Sequence, residues 1–281
     1  IVGAMGFGAK NLAMSSDYRY FFGPDNPQRV AYENFQKVYA KDDSALIVIE
    51  PKSGSVFNKV TLNAIKELTD DSWKVPFSTR VNSLSNYQHT EATLDDLIVR
   101  DLVGGVSTPS LTTTYIEKIK KIATTEPLLV NSAINPEGTF TAINIKVTLP
   151  QKSPNEVPQV AEYVRSMTKK WKIKYPDHNV YLSGMAFMNN AFNEAAMSDM
   201  ATLIPLMYFI IFVIMSLLLK SIFSVLNTFL IIIFSVIGAM GFAGWAGIPI
   251  TPPSSIAPTV ILTLAIADSV HLLKSIINYL K

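Results

Sequence analysis

The chain has 281 residues, 49% of them hydrophobic, a formal net charge of +2 and no cysteine. So small a charge, with no basic stripe, excludes a nucleic-acid-binding surface, and the lack of thiols excludes a disulfide framework and a thiolate metal site. Charge is also unevenly placed: residues 10–199 are rich in Lys, Glu and Asp, whereas the only charged side chains in 200–281 are Lys220, Asp268, Lys274 and Lys281.

The first residues, IVGAMGFGA before Lys10, are apolar or small. They lack the basic start of a signal peptide, and a spanning helix needs about 20 residues. Residues 1–13 are therefore expected to be the C-terminal end of a membrane helix, in a fragment of a larger protein. The segment DYRYFFGPDNP (17–27) mixes aromatic and turn residues and reads as an ordered loop after that helix.

Residues 14–198 are expected to form one water-exposed domain. The run SALIVIE (44–50) is β-branched and apolar, KVTLNAIKELTDDSW (59–73) has helical spacing at Val60, Leu62, Ile65 and Leu68, and VPFSTRVNSL (75–84) is a second strand. Next, QHTEATLDD holds His89, Glu91, Asp95 and Asp96 at a spacing that matches no standard ligand pattern, so it reads as a solvated acidic loop and not as a metal site. A helix near 110–125 and a strand near 127–133 follow. A second βαβ pattern then runs through FTAINIKVTL (140–149), alternating at Ile143, Ile145, Val147 and Leu149, through the helix at 155–175, and into NVYLSG (179–184). Within that helix, KKWKIK (169–174) reads as an exposed face with Trp171 turned to the core. Two βαβ units in one domain predict an α+β, ferredoxin-like arrangement. The segment AFMNNAFNEAAMSDMA (186–201) reads as a helix that runs straight into the first full membrane span.

Residues 200–219 and 221–248 carry no charge and are long enough to cross a bilayer. The expected spans are 199–220, 221–248 and 253–281, with Lys220 at a tight hairpin between the first two. Lysines favour the cytoplasmic side, so Lys220, Lys274 and Lys281 face inward, GIPITPPS and Trp245 face outward, and the polar domain is also outside. Gly238, Gly241, Gly244 and Gly247 recur at three-residue spacing, which permits close helix approach. The pentapeptide GAMGF occurs at 3–7 and again at 238–242, which chance explains as well as an internal repeat does.

Asp268 is the only acidic residue after Asp199. A carboxylate in hydrocarbon costs on the order of 3 kcal/mol on insertion scales, and low dielectric favours its neutral form. A group in that position can take a proton from one side of a membrane and release it to the other. His271 lies three residues on, on the same helix face, and Ser269 is adjacent. Asp268, His271 and Ser269 are the candidate proton-relay set. His271 can equally be an interfacial histidine, and Ser269 can serve as interhelical glue. One helical turn cannot aim these three as a hydrolase triad, and neither a GxSxG elbow nor a phosphate-binding glycine loop is present. No catalytic site, cofactor or metal is expected.

Several of these segments together resemble one known group: DYRYFFGPDNPQ (17–28), SALIVIEPKSG through NAIKELTDDSW (44–73), RVNSLSNYQHTEA (80–92), LIPLMYF (203–209) and LAIADSVHLL (264–273). They are similar to the RND superfamily, and within it to the MMPL-type predicted exporter branch related to sterol-sensing-domain proteins. The resemblance runs nearly end to end in the same motif order. It implies two halves of six spans, each half with an outer porter domain after its first span. This chain would then hold the end of span one, the first porter domain, and spans two to four. The family's fourth span carries an acidic proton-relay position, which Asp268 matches. Many relatives place tyrosine directly after it, where this chain has Ser269. The groups of the tenth span that complete the relay lie outside this chain.

The expected function is a proton-driven secondary exporter of hydrophobic or amphiphilic, lipid-like substrates, in a bacterial inner membrane with a periplasmic domain. Its expected partners are the bilayer, its substrate, the missing C-terminal half of the same transporter and, in a homo-oligomer, further copies of the chain. Two rivals are a lipid- or sterol-sensing membrane protein that does not pump, and an auxiliary subunit of protein translocation.

Overall fold

The computed structural model describes residues 2–12, 22–39, 43–92, 96–104, 109–150, 152–153, 155–219, 222–251 and 253–279. The chain divides into two compact units, residues 31–190 and residues 1–30 with 191–281. Lys220, Lys281, Asp95, Pro252 and residues 17–21 of the aromatic loop at 17–27 lie outside the described residues.

The first unit is built on a four-stranded sheet. Strand β1 (Asp43–Pro51) leads into helix α3 (Lys59–Ser72) and then β2 (Ser78–Asn82), while β5 (Thr141–Val147) leads into α5 (Glu156–Lys174) and β6 (His178–Ser183). The spatial order is β2-β5-β1-β6 and every neighbouring pair is antiparallel. Each βαβ crossover therefore skips one position, which the other crossover's first strand fills. Alternation decides which face is covered. Ala45, Ile47 and Ile49 of β1, with Ile143, Ile145 and Val147 of β5, are fully buried, and the residues between them are half-exposed. Each such isoleucine contributes about 1.5–3 kcal/mol by leaving water. Leu62, Ile65 and Leu68 of α3, with Val160, Val164 and Trp171 of α5, join that core.

Local chemistry fixes the ends of these helices. The Asn58 side chain accepts the Thr61 amide at 2.8 Å and starts α3. The Glu156 carboxylate accepts the amides of Lys152 (2.7 Å) and Ser153 (3.0 Å) ahead of α5. A further helix, α2 (Pro27–Tyr39), begins with Asn26 accepting the amides of Gln28 and Arg29, and with Pro27 in the first turn, where its missing N–H costs nothing.

Two sequence expectations are corrected here. Residues 88–92 are not a solvated loop: β3 (Gln88–Ala92) pairs antiparallel with β4 (Leu97–Asp101) in a separate two-stranded sheet. Residues 127–133 are a chain of turns and not a strand. Pro127 opens the segment, Asn131 has a φ of 60°, and only isolated bridges form, Val130 with Ile134 and Ile134 with Thr141. The expected helix before it is present as α4 (Thr113–Thr125).

The other unit is helical. It contains a short helix α1 (Val2–Phe7) continued by a 3-10 turn (Gly8–Asn11), most of α6 (Met185–Leu219), then α7 (Ile222–Trp245) and α8 (Ala257–Tyr279). Pro205 lies inside α6, and the helix continues through it. Tyr208 and Phe212 of α6 meet Phe229 of α7 edge-on, with ring centroids 6.2 and 5.8 Å apart. α7 ends in a Schellman motif: Ile248 N–H donates to Ala243 O at 2.9 Å and Gly247 N–H to Gly244 O at 3.3 Å, with Gly247 at φ +67°.

The glycine spacing in α7 has a specific use. A Cβ on Gly241 would collide with the Met5 carbonyl, and one on Gly244 with the Gly8 carbonyl. The two GAMGF segments therefore lie against each other, backbone on backbone, and Trp245 Nε1 donates to Ala4 O at 3.3 Å. Gly238 borders open space. Gly241→Ala is thus expected to lower the melting temperature of the purified protein, losing about 1–3 kcal/mol to overpacking. Gly238→Ala is expected to leave it unchanged or raise it, by up to about 1 kcal/mol of helix propensity. Calorimetry of the two variants side by side checks the contrast.

Candidate functional site

Thr251 and Ser254 set the start of α8 through reciprocal hydrogen bonds. Thr251 N–H donates to Ser254 Oγ at 2.7 Å, and Ser254 N–H to Thr251 Oγ1 at 3.3 Å. A 3-10 turn (Pro253–Ile256) then leads into the helix. Along α8, Val260, Leu264, Asp268 and Leu272 are spaced at four residues and are all exposed. Asp268 therefore sits in the middle of an apolar ridge. It has no hydrogen-bonded or ion-paired partner among the described residues. His271 is also exposed and shares that side of the helix at three-residue spacing. Ser269 lies about 100° round the helix from Asp268 and is only 6% exposed.

The structure thus brings Asp268 and His271 onto one face and sends Ser269 to another. Among the described residues no other helix covers Asp268: its side chain is on an open face. What the arrangement offers chemically is one carboxyl group, with one imidazole a turn away, on an apolar surface that another apolar body can cover. Hydroxyls elsewhere in these helices are already committed, Ser216 to Phe212 O (2.8 Å), Thr228 to Ser224 O (3.0 Å) and Thr263 to Thr259 O (2.9 Å).

The helices Met185–Leu217 and Ile222–Trp245 are long and apolar enough to cross a membrane. In α8 the apolar stretch is shorter, Ala257–Ser269. Asp268 stands near its end.

Within the sheet unit, the residues weighed as an acidic cluster have other partners. Glu91 on β3 accepts from Arg100 of β4 at 2.6 Å and pairs with Lys118 of α4, while His89 Nε2 stands 3.9 Å from it. The Lys118 hydrogen bond, helped by the charges of Lys118 and Arg100, holds the Glu91 carboxyl below the usual range. The hairpin is reversed relative to a hairpin that turns its apolar side inward. Its charged residues turn toward α4, while Leu97 and Val99 are 73% and 55% exposed. Trp171 is buried as expected, and its Nε1 donates to Ala64 O at 2.9 Å.

A second polar cluster, not singled out in the sequence, lies between α3 and α5. Glu67 accepts from Lys174 Nζ at 2.6 Å and from Tyr175 Oη at 2.8 Å, and these bonds lower its carboxyl below the usual range. The Tyr175 ring stands against Trp171 and His178. A glutamate, a lysine and a tyrosine spread over more than a hundred positions give no local signal.

Glu91→Ala is expected to free Arg100 and Lys118 and loosen the hairpin from α4, at a cost of about 1 kcal/mol. Because the folded form holds this carboxyl low, its stabilisation is present above the ordinary glutamate range and is lost as pH falls through the lowered folded value. Limited proteolysis across 92–104, run over a pH series on both chains, reads the effect. Residues 25–270 match the model of the MMPL family. No curated protein matches the chain.

Proposed function

The chain belongs to the MMPL family, membrane transporters of the RND type, and on that premise we propose that it is part of a proton-driven exporter of hydrophobic or amphiphilic, lipid-like substrates. The observation that carries the reading is Asp268, a lone carboxyl in the apolar ridge of α8, which is open for another helix to cover. In that reading α8 is a span together with α6 and α7, and a helix of the other transporter half closes over the ridge. Once covered, the carboxylate is stable only if it is protonated or paired. Proton uptake from one side and release to the other then changes which helix packing is favoured, and each charge moved gains about 2.3 kcal/mol per 100 mV. His271 hands the proton toward the cytoplasmic end, and Ser269 holds the packed face of α8.

The sheet unit is the outer porter domain in this reading, in a bacterial inner membrane. Its strand order and its two interleaved crossovers support a ferredoxin-like assignment. The unbroken course of α6 from Met185, directly after β6, supports a mechanical link between that domain and the membrane. The role is transport, not catalysis.

Asp268→Asn keeps the shape of the side chain and removes its titration. In the full-length protein reconstituted in liposomes, it is expected to cut proton-coupled transport to below about a tenth of the wild-type rate, a barrier increase of at least about 1.4 kcal/mol. Substrate efflux is measured against an imposed pH gradient. Unchanged efflux with unchanged pH dependence sinks the proposal.

A further inference from the structure

His178 is the first residue of β6 and is only 3% exposed. Its Nε2 is 2.9 Å from Thr61 Oγ1 on α3, so one side-chain bond ties the root of this edge strand to the neighbouring helix. Its Nδ1 is buried with no partner in hydrogen-bonding geometry. The ring is held edge-on between two aromatics of the α5 end, Trp171 at 5.4 Å (68°) and Tyr175 at 6.0 Å (87°).

The surrounding groups decide how such a ring responds to acid. From α3 it meets the neutral Thr61 hydroxyl. From the α5 end it meets two aromatic rings and the Tyr175 carbonyl, which accepts the His178 backbone N–H at 3.2 Å. From β1 it faces Pro51, its register partner. The nearest charge that favours an imidazolium is the Asp177 carboxylate, one residue back, whose own carbonyl accepts the Lys52 amide at 2.9 Å. The Glu67–Lys174 pair lies beyond Tyr175 and is internally neutralised.

We infer that His178 is an acid-released latch: neutral, it fastens the root of β6 to α3 through Thr61, and protonated, it must leave its aromatic slot and free the α5–β6 junction. A charged ring would place a second N–H donor at Nδ1, where the acceptor at hand, the Tyr175 carbonyl, already takes the His178 backbone N–H and makes no well-aligned bond to the ring, and would bury a cation. Burial is the main cause that holds this imidazole below the ordinary histidine range, against the weaker pull of the Tyr175 carbonyl and Asp177. The stabilisation is therefore present above that ordinary range and is lost as pH falls through it toward the lower folded value. What the latch governs is set by the chain itself, since β6 continues through Gly184 into α6. The latch stands independently of the transport reading.

Hydrogen–deuterium exchange on the full chain in detergent micelles tests it, read on peptides covering 171–183 between about pH 7.5 and about pH 5 and corrected for intrinsic exchange. In the native chain, exchange across 171–183 is expected to be at least about tenfold faster at the acidic end. In His178→Gln, which can keep the Thr61 bond but cannot charge, that response is expected to vanish. A native chain without the response, or His178→Gln with it undiminished, overturns the latch. If His178→Gln does not fold, the His178 ring resonance in the native chain decides by NMR: a titration midpoint below that of free histidine supports the latch, and one at or above it overturns it.

Discussion

Where water is excluded, each polar group must find its partner within the protein, and this constraint organises both units. In the long helices it is met by the backbone ladder and by Ser and Thr hydroxyls that bond back to the carbonyl four residues earlier. In the sheet unit the same rule places Thr69 on Ser83 and on Ile65 O, Ser72 on Leu68 O, and Tyr115 on Leu102 O. Among the described residues, the buried atoms left without a partner are Ser78 Oγ, Asn144 Oδ1, Asn189 Oδ1 and Nδ1 of His178. Two titratable groups take meaning from that background, the His178 ring and the exposed Asp268 carboxyl on its apolar ridge. Both can bind a proton, and both lie next to long helical segments.

The sheet unit is held together from one side. Isoleucines of the two central strands supply the apolar layer, and α3 and α5 cover it. The helices are then joined to each other by directional bonds, Trp171 to Ala64 O and Glu67 to Lys174 and Tyr175. Apolar burial accounts for the bulk of the stability, and these bonds select one packing of the helices among many that would bury similar area. The β3–β4 hairpin is outside this scheme. It rests on an ion-pair cluster and leaves apolar residues toward solvent.

Legibility in the sequence followed the strength of the local pattern. The alternation at 143–149 and the helical spacing at 60–68 placed β5 and α3 within a few residues, because period and burial agree at Leu62, Ile65, Leu68, Ile143, Ile145 and Val147, although Val60 of the same pattern is 62% exposed. Helix α2 was missed although Asn26-Pro27 is a start signal, because aromatic and turn residues just before it drew the reading toward a loop. The hairpin was missed for a different reason. Its charges face inward onto Lys118, so the polar run that suggests a solvated loop in fact marks its packed side. Of the relay candidates, the face shared by Asp268 and His271 was legible from spacing alone. The open environment of that face was not, since burial depends on helices far away in sequence. His178 gave no signal at all: its slot is assembled from residues 61, 171 and 175.

Gly184 joins β6 to α6 as a single residue with φ +99°, and a Cβ added there would collide with the Ser44 carbonyl. There is no slack in such a joint. Adding or deleting one residue would turn the start of α6 by about 100° relative to the strand it leaves. The length of this joint is frozen by geometry. Drift there must occur by substitution, and at position 184 itself almost no substitution is open.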